Sequence, residues 1–371
     1  MKTAILRWID RIIGAVLILP IWFFSLLFPK SKLTTGKILV IKLWALGDSI
    51  VLLPAIKELR RKYPKARIDV LCRDRVKSVF EGLKFIDSIM SAEPKGLLAL
   101  IPRLRRYDVV VDAEPYLNES ALLAWWLGKR RVGFSHSIRH LLYTDRVIFN
   151  DNQHMVRTYI DLMGPLGVTH VPERLVPLAV SADDKKKAAL FLKERGIKPG
   201  DRFVVLCPAA GASSRGRIWA PERFAAVGDA LVKEFLVKIV LMSGRSEKEF
   251  VDAVASKMKH PPVSDAYELN LKQQAAMVSR AALTISNDSG PVHISAAMGT
   301  PTLGLYCPNT PVRWAPYGPG NDFVYKPVLP RPCINVHKGQ IPDCKGHRHM
   351  SLISVDDVLQ KARRLLHARH Y

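Results

Sequence analysis

Three short stretches put acidic, basic and hydroxyl side chains where an apolar strand gives way to a helix. The first, WALGDSI, follows the run KILVIKL and precedes an amphipathic stretch beginning near Ile50. Gly47 allows a tight turn, and Asp48 falls at the helix N-terminus. There a carboxylate accepts backbone N–H groups as a cap; facing a ligand, it can also take a proton. The cap alone accounts for the residue, so both roles stay open.

The second stretch is SNDSGPVHISAAMGTP, with the strand-like LTI before it and a helix of small residues within it. Asp288 and Ser289 suit the cap, Gly290 admits a ligand close to the backbone, and Pro291 suits the first helical turn. A helix start of that kind attracts anions, a diphosphate among them. His293 lies one turn further in. Taken alone it reads as an ordinary surface or core histidine. The third stretch, CPAAGASSRGRIWAPERF, again runs from strand through a glycine turn into a helix, with Ser213, Ser214, Arg215 and Arg217 as hydroxyls and fixed charge for a phosphate. A solvated basic loop is the plain alternative. Cys333, His337, Cys344, His347 and His349 form an irregular set without a close C-x-x-C pair, and no metal is expected there.

Positioning these turns requires a frame. From Lys37 onward, apolar runs (KILVIKL, RIDVLCR, YDVVVDAE) alternate with helical stretches, which predicts a parallel sheet covered by helices. The rhythm breaks between Pro172 and Asp201 and restarts with RFVVLCPAAG, KIVLMSGR, LTISND and TPTLGLYCP. The expected layout is an apolar membrane-associating segment over 1–34, a Rossmann-like domain over 35–180, a second over 181–350, and a closing helix over 351–371 that could pack back on the first. Doubly wound sheets bind ligands outside the carboxyl ends of their strands, so both halves are expected to offer loops to one cleft.

The sequence of 371 residues is long enough for two cores. Its formal charge of +23, from 56 Lys and Arg against 33 Asp and Glu, calls for anionic partners. Basic runs interleaved with aromatic residues are missing, so nucleic acid is not expected among them. Five dispersed cysteines make a poor disulfide framework and fit a reducing compartment. Ile12 to Phe28 is apolar except for Gly14, Pro20 and Ser25, with Arg7 and Arg11 before it and Lys30 and Lys32 after it. At the short limit for a spanning helix, and with a proline in the middle, it reads as an uncleaved, interfacial anchor; the alternative is a buried core helix.

The order of the three turns, in the blocks KILVIKLWALGDSIVLLPAIKELRRKYPKARIDVLCR, VVLCPAAGASSRGRIWAPERFAAVGDAL and ISNDSGPVHISAAMGTPTLGLYCPNTPVRWAPYGP, resembles the heptosyltransferase family of lipopolysaccharide core assembly. The resemblance covers nearly everything from Lys37 to the closing helix. It implies the α/β fold known as GT-B, two Rossmann-like doubly wound parallel-sheet domains facing a cleft. It also implies metal-independent, inverting transfer of a heptose or related sugar from an ADP-sugar to a lipopolysaccharide core or other lipid-linked glycan acceptor, without a cofactor. On that resemblance Asp48 is the general base and Arg217, with Ser213 and Ser214, contacts the donor phosphates. Asp288, Ser289 and Gly290 bind diphosphate and sugar, His293 stands on the same wall, Leu269 lies beside the adenine, and Glu247 falls next to the position of the ribose contact. Gly47 and Asp112 belong to the acceptor side. The place of action it implies is the cytoplasmic face of the bacterial inner membrane, the protein being peripheral or N-terminally anchored to an anionic surface.

Departures from the family pattern are Arg217 where lysine is usual, Ser246 where a ribose-holding glutamate is expected, Ala113 and Glu114 after Asp112 where a glutamine-containing turn is common, and the added apolar segment. Two other readings stay in play: a nucleotide-sugar epimerase on the same scaffold, which would form product without an acceptor, and a non-catalytic membrane or polyanion-binding protein.

Overall fold

Parallel strands need crossovers of a dozen or more residues, and the spacing of the apolar runs leaves room for a helix in most of the gaps. A computed structural model describes residues 10–25, 35–93, 95–96, 102, 104–211, 215–327, 332–335 and 349–368. The chain forms two units, Met1–Pro172 and Glu173–Tyr371.

Unit 1 contains β1 (Lys37–Ile41), β2 (Arg67–Cys72), β3 (Ser88–Ser91), β4 (Tyr107–Asp112), β5 (Gly128–Phe134) and β6 (Asp145–Val147), in the order β3-β2-β1-β4-β5-β6. Every pair in it is parallel. Because the central strands are covered on both faces, they read as continuous apolar runs: Ile38, Leu39, Val40 and Ile41 of β1 and Val109, Val110 and Val111 of β4 are wholly buried. The described α-helices of this unit are α1 (Ala15–Ser25), continuous with a π-helical turn over Asp10–Gly14, α2 (Leu46–Lys62), α3 (Asp74–Phe80), α4 (Asn118–Leu127) and α5 (Met155–Leu162). The chain runs outward from β1 through β2 to β3, then returns to the other side of β1 with β4. The β1/β4 boundary is therefore the switch point of this sheet, where loops on either side diverge and leave a crevice.

Unit 2 repeats the scheme with β7 (Phe203–Cys207), β8 (Lys238–Leu241), β9 (Leu283–Asn287), β10 (Thr302–Tyr306) and β11 (Asp322–Tyr325), in the order β11-β10-β9-β7-β8 and again parallel throughout. Its switch point is β7/β9. The helices are α6 (Ala182–Glu194), α7 (Pro221–Phe235), α8 (Lys248–Ala255), α9 (Leu271–Val278), α10 (Gly290–Ala297), α11 (Pro311–Trp314) and α12 (Val355–His367). The closing helix α12 starts with a capping box between Ser354 and Asp357. It packs within its own unit: Val358, Leu359, Ala362, Leu365 and Leu366 join Trp219, Phe224 and Val227 in one core.

Candidate active site

In unit 1 the chemistry collects at the switch point. The turn after β1 reaches helix α2 through Ala45, whose φ of 65° is unusual for a residue with a side chain, and Ala45 occupies the cap position with no side-chain bond. Asp48 is thus already inside the first turn and does not serve as the N-cap that its residue type suggests. Its half-buried carboxylate instead receives the Tyr159 hydroxyl from α5 at 3.4 Å. Burial raises the Asp48 pKa to about 6; Lys42 opposes the rise and Glu114 adds to it. Burial also drives the Tyr159 phenol well above its ordinary value, which keeps it a proton donor to Asp48.

Beneath Asp48 lies a pair for which no sequence signal argued. Glu114, just beyond β4, is 1% exposed and sits 3.3 Å from Lys42 Nζ, itself 1% exposed. The same Glu114 oxygen accepts the amides of Leu43 at 2.6 Å and Trp44 at 2.8 Å, holding the turn that leads to Gly47 and Asp48. Asp112 supports this from below. It accepts the Glu114 amide at 3.0 Å on one oxygen, and on the other Ser120 Oγ at 2.8 Å, Arg139 at 2.7 Å and the Tyr143 hydroxyl at 2.6 Å. Neither Asp112 nor Arg139 has any solvent exposure. So enclosed, Asp112 supports the Glu114 turn from within the unit. Gly47 stays at the accessible side of that turn, half-buried.

In unit 2 the loops from the carboxyl ends of β7 and β9 meet over the β7/β9 switch point. Arg217 stands in a short 3-10 turn and donates to the backbone oxygens of Asp288 at 2.9 Å and Ala210 at 3.1 Å. It also lies 3.4 Å from the Asp288 carboxylate. Asn287 closes the junction, accepting the Trp219 amide at 3.2 Å and donating to the Pro208 carbonyl at 2.7 Å. Asn309, beyond β10, donates to Asp288 at 2.7 Å. Asn287 and Asn309 were not singled out by sequence reasoning, although Asn287 lies inside the SNDSG turn.

Ser289 is the N-cap of α10 and makes no cap bond with its side chain; Gly290 and Pro291 open the helix, whose positive end points out of the sheet's carboxyl edge. Glu247 reaches across from the loop after β8 and accepts the Gly211 amide at 2.7 Å, so it does join the Arg217 loop. Leu269 is half-buried on the rim, beside a turn that Gln274 ties to the Ser243 carbonyl at 2.9 Å. His293 is 4% exposed and packs edge-on against Trp314, with ring centroids 6.1 Å apart. Ser213 and Ser214, like His337, Cys344 and His347, fall outside the described residues.

Among the described residues, then, each unit brings chemistry to its own switch point: a carboxylate of raised pKa in one, an arginine beside a helix start in the other. A family model described as glycosyltransferase family 9 (heptosyltransferase) matches residues 97–338, more than half of the chain. The chain is 25% identical to the lipopolysaccharide core heptosyltransferase OpsX of Haemophilus influenzae over 289 residues, 75% of this chain and 81% of that protein. Among solved structures, a glycosyl transferase of family 9 from Veillonella parvula superposes with a TM-score of 0.76 at 24% identity, covering 91% of this chain and 99% of that one. The E. coli ADP-heptose LPS heptosyltransferase II gives 0.72 at 21% identity, covering 90% and 100%.

Proposed function

The chain belongs to glycosyltransferase family 9, the heptosyltransferases, and is a glycosyltransferase; from that premise we propose that it moves a heptose, or a closely related sugar, from an ADP-sugar to the lipopolysaccharide core or another lipid-linked glycan. The two sheets are read as the halves of a GT-B enzyme, unit 1 serving the acceptor and unit 2 the nucleotide sugar. The apolar N-terminal segment ties the enzyme to the cytoplasmic face of the inner membrane, where such an acceptor is held.

The observation that carries the proposal is Asp48: a carboxylate at a switch point, not employed as a cap, with a pKa near 6. A base of that strength is mostly ionised at neutral pH and still able to take a proton as the bond to carbon forms. In the proposed step the acceptor oxygen attacks the anomeric carbon, its proton passes to Asp48, and the bond from that carbon to the diphosphate oxygen breaks, so the ADP leaves with the electron pair. Negative charge grows on the leaving phosphate. Arg217 and the α10 helix start lie at the β7/β9 crevice, suited to stabilising that growing charge more than the bound donor. Glu247 and Leu269 are assigned to ribose and adenine, Ser213, Ser214, Asp288, Ser289 and Gly290 to the diphosphate and sugar, and His293 to backing the wall through Trp314.

The test separates binding from chemistry. Asp48→Asn is expected to bind the ADP-sugar as wild type does in calorimetry while losing on the order of 10² to 10⁴ in turnover. Wild-type turnover in that variant would remove Asp48 from the role.

A further inference from the structure

The apolar segment near the N-terminus is built into unit 1. Asp10 accepts the amides of Asn118 at 3.0 Å and Glu119 at 2.7 Å, and its carbonyl accepts Asn118 Nδ2 at 3.1 Å, so it caps the start of α4. Gly14 lies against Asn118, where an added Cβ would come within 2.5 Å of the Asn118 Cβ. Ile18 is wholly buried, and Ile21 and Trp22 pack beside it against a core that includes Leu117, Ala121 and Ala124. The other side of the same helix is a different surface. Ile12, Ile13, Val16, Leu17, Phe23 and Phe24 are all exposed, Val16 by 65% and Phe23 by 70%. Their spacing keeps them on one side, so α1 has a docked face and an open apolar face.

We propose that this open face is the membrane-binding surface of the enzyme, with α1 lying in the plane of an anionic leaflet, one side on α4 and the other in the headgroup and acyl boundary, without crossing. This rests on the reading of a membrane-held acceptor given above and specifies how the protein meets that membrane. A crossing helix would have to withdraw Asp10 from the α4 amides and Ile18 from the core. Pro20, on the exposed side, has no amide to return to the Val16 carbonyl; water at an interface can serve that oxygen, whereas hydrocarbon cannot. The occupant is a lipid surface and not a second copy, because Arg7, Arg11, Lys30 and Lys32 bracket the segment in a chain of charge +23. Face-to-face copies would bring those cations together, while an anionic leaflet neutralises them. Half-buried Trp22, Trp125 and Trp126 on α1 and α4 add the side chains that favour such a boundary.

Because Ile18 belongs to the core, truncation would confound the test, and exposed positions are substituted instead. Full-length protein is sedimented with vesicles of phosphatidylglycerol and phosphatidylethanolamine, and in parallel with neutral phosphatidylcholine vesicles. Wild type is expected to bind the anionic vesicles more tightly. The variant Val16→Ser/Phe23→Ser/Phe24→Ser is expected to bind them on the order of 100-fold more weakly, with the Tm and the transfer to a deacylated, water-soluble acceptor unchanged. As a second readout, a polarity-sensitive dye on Phe23→Cys should shift blue on binding and be quenched by shallow, not deep, spin-labelled lipid. Wild-type vesicle affinity in the triple variant overturns the proposal, as does deep quenching, membrane retention through an alkaline carbonate wash, or dimerisation through this face without vesicle binding. A failure of sugar transfer in wild type and variant alike strikes the proposed reaction and leaves the vesicle result standing.

Discussion

Asp48→Asn is predicted to yield a protein that is less active and more stable. The carboxyl pKa is raised from 3.8 to about 6, chiefly by burial. A folded state that binds the proton more tightly than the unfolded chain loses stability as pH rises between those two values, because deprotonation is then easier after unfolding. The sign is opposite to that of a salt-bridged carboxylate. A shift of about two units, at 1.36 kcal/mol each, costs about 3 kcal/mol once pH exceeds 6, and nearly nothing below 4. Asparagine keeps the shape and can still accept from Tyr159, yet carries no charge to bury. At pH 7.5 the variant should therefore melt roughly 6 to 12 °C above wild type, at about 2 to 4 °C per kcal/mol for a unit of this size, with most of that gain gone at pH 4. Scanning calorimetry of both proteins at the two pH values is the assay. A variant no more stable than wild type at pH 7.5, or one with the same gain at both values, refutes the assignment of a destabilised, ionised Asp48.

The other predictions concern the groups that hold the site. Glu114→Gln keeps an oxygen for the Leu43 and Trp44 amides but removes a charge that raises the Asp48 pKa, so the acidic limb of kcat/KM should move to lower pH; a limb that stays near 6 contradicts the electrostatic role. Arg217→Ala should cut kcat on the order of 10²-fold, since it removes both the charge and the bonds that hold the Asp288 and Ala210 carbonyls, and Arg217→Lys should recover only part, having no planar fork. Asp112→Asn leaves Arg139 buried without its counter-charge and should destabilise the protein by about 3 to 5 kcal/mol in denaturant titrations.

The alternation of strand and helix was legible because a parallel sheet covered on both sides demands unbroken apolar strands, as in KILVI and YDVVVD. The chemistry at the strand ends was legible for the same reason: WALGDSI and SNDSG each stand directly after such a run. What a linear reading could not supply was the partnership of residues far apart in the chain. Lys42 meets Glu114 because β1 and β4 are neighbours, Asp112 meets Arg139 because β4 lies beside β5 and the turn after β5 carries Arg139, and nothing in the spacing announces either. Asp48 looked like a cap because its type favours that position; the turn instead spends a strained Ala45 there and frees the carboxylate. The apolar run offered two readings, anchor or core helix; the structure packs one side of the helix into the core, with Ile18 inward, and leaves the other exposed, with Phe23 outward.

The central claim is a single displacement at carbon with a single base. Following the anomeric proton by NMR during transfer from a nucleotide sugar of known configuration reads it directly. One displacement assisted by Asp48 predicts the opposite configuration in the first product formed; retention would demand a covalent intermediate or a front-face route and would contradict the account.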